Sequence, residues 1–291
     1  MVPLESRKPT IQQQRAEAVR RFPVTWAGMV AEWHQPGAQD CAWLMYSANY
    51  LLRTGGVRWA IDPLRLERRL PAAPARDYVR DLADLSFVLL THRHSDHLDI
   101  PLIRSLAHLP VTWVIPRTIR KQVMDQCGIP ESRIIVPRPM QAIELLGIRL
   151  TPFEGLHWEK EPDTGSGQRR GVPAMGYLVE CNGKRWLFPG DTRDYDASRL
   201  PSLGPVDTLF AHVWLGRGCA SQERPALLDA FGRFCLDLQP RRVVLSHLRE
   251  FGRVIDEYWD LRHAELAASV LQELRPGVPV LPALMGDRIE L

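Results

Sequence analysis

Thr91-His92-Arg93-His94-Ser95-Asp96-His97-Leu98-Asp99 gathers three imidazoles and two carboxylates directly behind the apolar run Ser86–Leu90. A short apolar run of this kind reads as a buried strand. The interior of such a strand would not hold the cluster, because a buried polar group without a partner is costly. At the strand's C-terminal end the same residues form a cup of ligands. In extended chain, residues two apart point the same way, so His92 and His94 can reach one metal ion. Asp96 and His97, past the bend, can reach a second. Imidazole and carboxylate suit zinc, iron, manganese or cobalt, and the absence of thiolates fits a catalytic rather than a structural site.

Outward from this stretch the chain reads as many short strands with helices returning between them. Tyr50–Arg53 and Val57–Ile61 flank Gly55-Gly56, a hairpin signal, and Asp62-Pro63 stops the second strand. Val111–Ile115 and Ile134–Val136 read as strands with a helix at Thr118–Cys127 between them, which implies parallel pairing. Ala142–Leu145 and Ile148–Thr151 flank Gly147, while Gly176–Glu180 and Arg185–Phe188 flank Asn182-Gly183, a type I′ turn signal. Thr208–Ala211 and Val243–Ser246 follow as strands. Pro225–Leu236 and Tyr258–Leu274 read as helices, as does Ile11–Arg21 near the start. Glu161–Arg170 is the clearest flexible loop. No repeat or low-complexity linker divides the chain. The expected organisation is an N-terminal extension over 1–40, packed on a main domain over 41–291.

A site for two ions needs further ligands, and three more candidates fall at predicted strand ends. His157 follows Ile148–Thr151 closely, Asp191 stands in Phe188-Pro189-Gly190-Asp191-Thr192, and His247 ends Val243-Val244-Leu245-Ser246-His247. Loops on one edge of a sheet build sites in this way.

In these residues the chain resembles the metallo-β-lactamase superfamily. The HxHxDH signature is His92, His94, Asp96 and His97. The later histidine is His157, the Gly-Asp aspartate is Asp191 and the last histidine is His247. Asp62 matches the family's early strand-end aspartate. The resemblance covers about residues 43–291 and implies an α/β fold, a four-layer αββα sandwich. It implies that His92, His94 and His157 hold one ion, that Asp96, His97 and His247 hold the other, and that Asp191 bridges them. The text THxHxDHLD followed by GDT is similar to a narrower group, the ascorbate-6-phosphate lactonase-like and N-acylphosphatidylethanolamine phospholipase D-like proteins. The segment His212-Val213-Trp214-Leu215-Gly216-Arg217-Gly218 departs from that group's pattern.

The expected function is therefore that of a metallo-hydrolase using two divalent ions, zinc first and manganese or iron next. Its expected nucleophile is a hydroxide bridging the ions, since paired metals lower the pKa of their water toward about 7. The expected substrate is a small ester, lactone or phosphodiester, with anionic character met by cations at the mouth. Asp96, Asp191 and His212 are the candidate catalytic residues. Asp62 and Asp99 are candidates to fix the histidine tautomers. Arg169-Arg170, Arg217 and Trp158 are candidate pocket residues, and His34, His108 and His263 are expected to be structural. Two other readings are an iron-dependent redox member of the superfamily and a metal-binding scaffold without catalysis. Redox reductases of the superfamily resemble HxExD at the first motif, where this chain has His94.

Composition bounds the rest. The chain has 291 residues, 45% hydrophobic and 24% charged, with a formal charge of +3. A core large enough to bury most of the chain is available, and general disorder is excluded. The near-neutral balance gives no footing for nucleic acid as a partner. Five scattered cysteines without a CxxC pair fit a reducing compartment. The first residues, with Glu5, Arg7 and Lys8, leave no room for the apolar stretch of a signal peptide, and no run is long enough to span a bilayer. A soluble cytoplasmic protein is expected.

Overall fold

Side-chain alternation along the strands sorts the apolar residues into three layers of core. A computed structural model describes residues 4–37, 39–163 and 165–291. Residues 1–3 and Ala38 of the expected extension, Thr164 of the expected loop, and the side chains of residues 4–8 lie outside the described residues. The first strands are Cys41–Leu44 (β1), Tyr50–Thr54 (β2), Val57–Ile61 (β3), Phe87–Leu89 (β4), Thr112–Val114 (β5) and Ile134–Ile135 (β6). Those that follow are Ile143–Leu145 (β7), Ile148–Glu154 (β8), Met175–Cys181 (β9), Lys184–Phe188 (β10), Thr208–His212 (β11), Val243–Ser246 (β12), Val280–Pro282 (β13) and Arg288–Glu290 (β14). The first sheet has the order β14-β1-β2-β3-β4-β5-β6 and the second β13-β12-β11-β10-β9-β8-β7.

Ala42, Leu44, Tyr50, Leu52, Trp59, Phe87 and Val114 of the first sheet meet Tyr177, Val179, Trp186, Phe210 and Val244 of the second in a shared middle core. The alternate residues of the first sheet, among them Trp43, Leu51, Ala60, Val88 and Trp113, face outward. Leu4–His34 (α1), Tyr78–Asp81 (α2), Ile100–Leu106 (α3) and Arg117–Cys127 (α4) lie in sequence around this outer core. Leu187, Leu209 and Leu245 of the second sheet face Leu228–Asp237 (α5) and Leu261–Leu274 (α6). Helix, sheet, sheet, helix is the αββα sandwich that the sequence predicts. β3, β4, β5 and β6 run parallel, as do β10, β11, β12 and β13. The C-terminal ends of β3, β4, β10 and β12 carry Asp62, the His92–Asp99 cluster, Asp191 and His247, while His157 follows β8.

Several elements differ from expectation. α1 continues past Pro23 to His34, although a helix-interior proline removes a backbone hydrogen bond. Burial outweighs that loss: Phe22, Trp26, Met29, Val30 and Trp33 form one buried stripe on the first sheet's outer core. Trp33 Nε1 donates to Leu52 O at 2.9 Å, and Trp26 Nε1 donates to Asp81 Oδ2 at 2.7 Å. The open carbonyls at the end of α1 are met by strand arginines, Arg53 donating to Glu32 O at 3.1 Å and Arg58 to Trp33 O at 2.8 Å. β1, β13, β14, α2 and α3 were not expected, being too short for a periodic pattern. Asp99 caps α3, accepting from Leu102 N at 3.2 Å and from Arg65 Nε at 3.0 Å. Its predicted contact with a histidine is absent among the described residues. Among the described residues, no helix is long and apolar enough to cross a membrane.

Trp33 is wholly buried between α1 and the first sheet. Trp33→Ala is expected to lower unfolding stability by about 3–5 kcal/mol. A single urea transition, followed by both tryptophan fluorescence and far-ultraviolet dichroism, checks that α1 and the sandwich unfold together; two separated transitions would show that they do not.

Candidate metal centre

Asp62 ends β3 with φ +45°, a left-handed conformation that Asp tolerates better than most residues. The turn aims its fully buried carboxylate at the neighbouring strand end. Asp62 Oδ1 accepts from Thr91 N at 2.8 Å. Oδ2 accepts the Thr91 hydroxyl and, at 2.8 Å, His97 Nδ1. The single Thr91 hydroxyl proton is thereby committed, so its oxygen accepts from His92 Nδ1 at 2.9 Å. One carboxylate thus assigns the tautomer of two rings, His97 directly and His92 through Thr91, and leaves both Nε2 lone pairs free.

Those lone pairs converge with others. His92, His94, His157 and Asp191 each offer a donor atom within 4.8 Å of the rest, and so do Asp96, His97, Asp191 and His247. Asp191 belongs to both groups. Its Oδ1 lies 3.2 Å from His97 Nε2, and its Oδ2 lies 3.6 Å from His157 Nε2 and 3.9 Å from His92 Nε2. His92 Nε2, His97 Nε2, both ring nitrogens of His157 and His247 Nδ1 are buried without a hydrogen-bond partner among the described residues. Buried polar atoms without partners are rare and call for a reason. A metal ion for each group of donors supplies one, and imidazole with carboxylate is the appropriate chemistry. The residues present fit two divalent ions.

Local backbone delivers these side chains. Gly190 takes φ +71° just before Asp191, and His247 itself takes φ +64° while its N–H donates to Ser47 O at 2.7 Å. Gly171 lies so close to the backbone of His157 that an added Cβ would stand 2.4 Å from His157 O. Asn49 donates to Asp62 O at 2.7 Å and Asp96 O at 2.9 Å, tying two site loops together. His212, at the end of β11, places Nδ1 2.9 Å from Asp191 Oδ1.

The two groups differ electrically. Burial depresses the pKa of His92 and His157, and it brings His94 down to about 4. Burial also acts on His97, but the charge of Asp191 and the hydrogen bond to Asp62 outweigh it and hold that pKa well above the usual value. Burial opposes ionisation of Asp96, yet His247, His97 and Arg253 keep its carboxyl well below the usual range. Asp191 is held low by His247 and His97 against the same opposition.

Thr91, Asn49 and Arg253 were not singled out from the sequence. Thr91 sits beside the histidine motif and was readable there. Arg253 Nη2 reaches Asp96 Oδ2 at 2.9 Å from a loop without diagnostic text. Of the candidate pocket residues, Arg170 pairs with Asp163 in its own loop, and Arg217 pairs with Glu159 and Glu257. Trp158 is 37% exposed. His34 and His263 are structural, bonding Asp84 at 2.9 Å and Asp260 at 2.7 Å respectively.

Residues 59–248 match the family described as Beta-lactamase superfamily domain. A protein from Anaeromyxobacter sp. (strain K) named as a metal-dependent hydrolase is 24% identical over 84% of this chain and 87% of its own length. One of the same name from Cupriavidus metallidurans is 26% identical, over 57% of this chain and 60% of its own length. N-acyl-phosphatidylethanolamine-hydrolyzing phospholipase D 1 from Caenorhabditis elegans is 26% identical, over 60% of this chain and 54% of its own length. Among solved structures, a possible metal-dependent hydrolase from Veillonella parvula superposes with a TM-score of 0.62 at 17% identity, over 88% of this chain and all of its own. CmlA, a diiron beta-hydroxylase from Streptomyces venezuelae, superposes with a TM-score of 0.58 at 17% identity, over 89% of this chain and 55% of its own.

Asp62→Asn keeps the shape and tolerates the same backbone, but replaces an acceptor with a donor. Metal affinity is expected to fall about 10–100-fold, measured by competition with a chelator, while the dichroism spectrum stays unchanged. Acidification tests the asymmetry. A ring must be neutral to bind metal, so protons compete hardest where the pKa is raised. As pH falls from about 8 to about 5, the ion held with His97 is expected to leave before the one held with His94. Elemental analysis of samples dialysed at each pH would show two ions, then one. Loss of both together would refute the asymmetry.

Proposed function

The chain belongs to the beta-lactamase superfamily, and on that footing we propose that it is a metal-dependent hydrolase of a small ester, lactone or phosphodiester, working with two divalent ions. The observation that carries the reading is the set of buried imidazole nitrogens without partners that converge on Asp191. Zinc suits the donors best, with manganese or iron compatible. His92, His94 and His157 would hold one ion, Asp96, His97 and His247 the other, and Asp191 both.

Two divalent ions held by these residues would supply a nucleophilic oxygen from water at neutral pH and a Lewis acid for the group to be cleaved. The chain's own residues set the conditions for this. Asp62 keeps the His92 and His97 lone pairs aimed inward. His212 holds Asp191 through Nδ1, and Arg253 holds Asp96, so each acid presents its remaining lone pairs in a fixed direction. Ionised Asp96 and Asp191 balance the cationic charge brought by the ions. Arg193 and Arg253 border the site beside Asp191 and His247, Arg193 pairing with Glu159 and Arg253 with Asp96. A reducing, cytoplasmic setting belongs to the same proposal, since all five cysteines are free and buried.

His94→Ala is expected to lose one ion and reduce turnover to background while the fold survives. Asp191→Ala is expected to lose both ions. Elemental analysis together with a panel of bis-p-nitrophenyl phosphate, lactones and thioesters reads both outcomes. Wild-type turnover in His94→Ala would sink the site. Stoichiometric iron with oxygen-dependent chemistry, and no hydrolysis, would favour an iron redox enzyme on the same fold instead.

A further inference from the structure

A cavity of about 840 Å³ opens between the start of α4, the chain just past β6 and the strand ends of β8 and β9. Ligand pockets fall at roughly 300–1,000 Å³, so this one is of a size to hold a small organic molecule. It borders the chain segments that carry His157 and touch Thr91. Two of its lining residues, Leu156 and Trp158, flank His157 in the chain, and a third, Met175, donates its N–H to Thr91 O at 3.1 Å. By contrast, the space bounded by Asp191, Trp214, His247 and Arg253 has about 0 Å³ accessible to a water-sized body.

The cavity wall is amphipathic. Trp158 and Val136, 37% and 36% exposed, are two of the large apolar side chains that the fold leaves open to solvent, and both stand here. Four arginines line the wall against two glutamates. Arg120 pairs with Glu131, and Arg199 pairs with Asp194 outside the lining. The guanidinium groups of Arg117 and Arg138 have no hydrogen bond or ion pair among the described residues, and Glu154 is the wall's remaining carboxylate. Two uncommitted guanidinium groups beside open apolar surface suit a ligand with an anionic group on an apolar body.

Resting on the hydrolase reading above, we propose that this cavity binds an organic anion. Its phosphate or carboxylate meets Arg117 and Arg138, and its apolar body lies against Trp158 and Val136. The bond to be cut is thereby presented to the centre beyond His157.

Calorimetric titration of the metal-loaded protein with octyl phosphate and octanoate, below their micelle concentrations, tests this, with octanol and inorganic phosphate as controls. At least one anionic amphiphile is expected to bind about tenfold or more tightly than either control, and the tighter one identifies the head group. The double variant Arg117→Gln/Arg138→Gln is expected to lose about tenfold or more of that affinity, the scale of charge-assisted contacts. Trp158→Ala is expected to weaken the amphiphile but not inorganic phosphate. His94→Ala is expected to bind like the wild type, because the cavity does not need that ligand. Absence of saturable binding, or binding unchanged in both cavity variants, overturns the proposal. So does binding that vanishes in His94→Ala while surviving in the arginine double variant, which would put the anion on the centre itself. Failure of the hydrolase reading shows separately, as intact binding without turnover in the metal-replete protein.

Discussion

A carboxylate without solvent, Asp62, is the point on which the centre is built. Burial of a carboxylate is costly unless hydrogen-bond donors compensate it, and here three do. All three come from the segment after β4, so satisfying the charge also fixes how the end of β3 sits against the end of β4. Two imidazoles are oriented as a by-product. Asn49 adds a second tie from the loop before β2, and Ser47 a third by accepting the His247 amide from the other sheet. Removing any one of these would leave a buried polar group unmatched, which is why the loops at this edge have little freedom.

Around Asp96 a second layer of charge repeats the pattern less tightly. Arg253 bonds it at 2.9 Å, while Arg69 lies 3.8 Å away and bridges onward to Glu250 at 3.2 Å. Tyr46 donates to the same Glu250 oxygen at 3.1 Å. Burial and the nearby Asp96 push Glu250 above the usual carboxyl range. The Asp96 side of the centre is thus embedded in an ion-pair network, while the His92–His94–His157 side is neutral and borders open space. The two ions would sit in unlike surroundings despite similar ligands.

How far the sequence carried this reading depended on pattern length. The HxHxDH cluster, the Gly-Asp turn and the strand-end histidines were legible because ligand chemistry demands particular residue types at particular strand ends. The hairpins at Gly55-Gly56 and Asn182-Gly183 were legible because their turns demand positive φ, which Asn182 and Gly183 adopt at +50° and +74°. The full length of α1 was not, since Pro23 argues locally for a stop and only the distant first sheet rewards continuation. Strands of three residues such as β13 and β14 leave no periodicity to read. Asp62 and Asp99 looked alike in sequence, each an acid next to a turn. Only the fold shows that one faces imidazoles and the other faces Arg65 and a helix terminus. Arg117 and Arg138 carried no signal, because a free arginine is indistinguishable from a paired one until its neighbours are placed.

The pairing of β14 with β1 has a consequence for how the molecule is made. Cys41 stands opposite Glu290, so the first strand of the sandwich acquires its outer neighbour only after the other described strands of both sheets have been made. Until β14 is made, β1 is therefore a bare, fully apolar edge, the kind of surface on which nascent chains associate. The growing chain has one covering to hand, the long helix that precedes it, whose Trp33 and Glu32 already reach toward β1 and β2. α1 thus covers the outer face of the first strands, while the edge of β1 is closed by β14 alone.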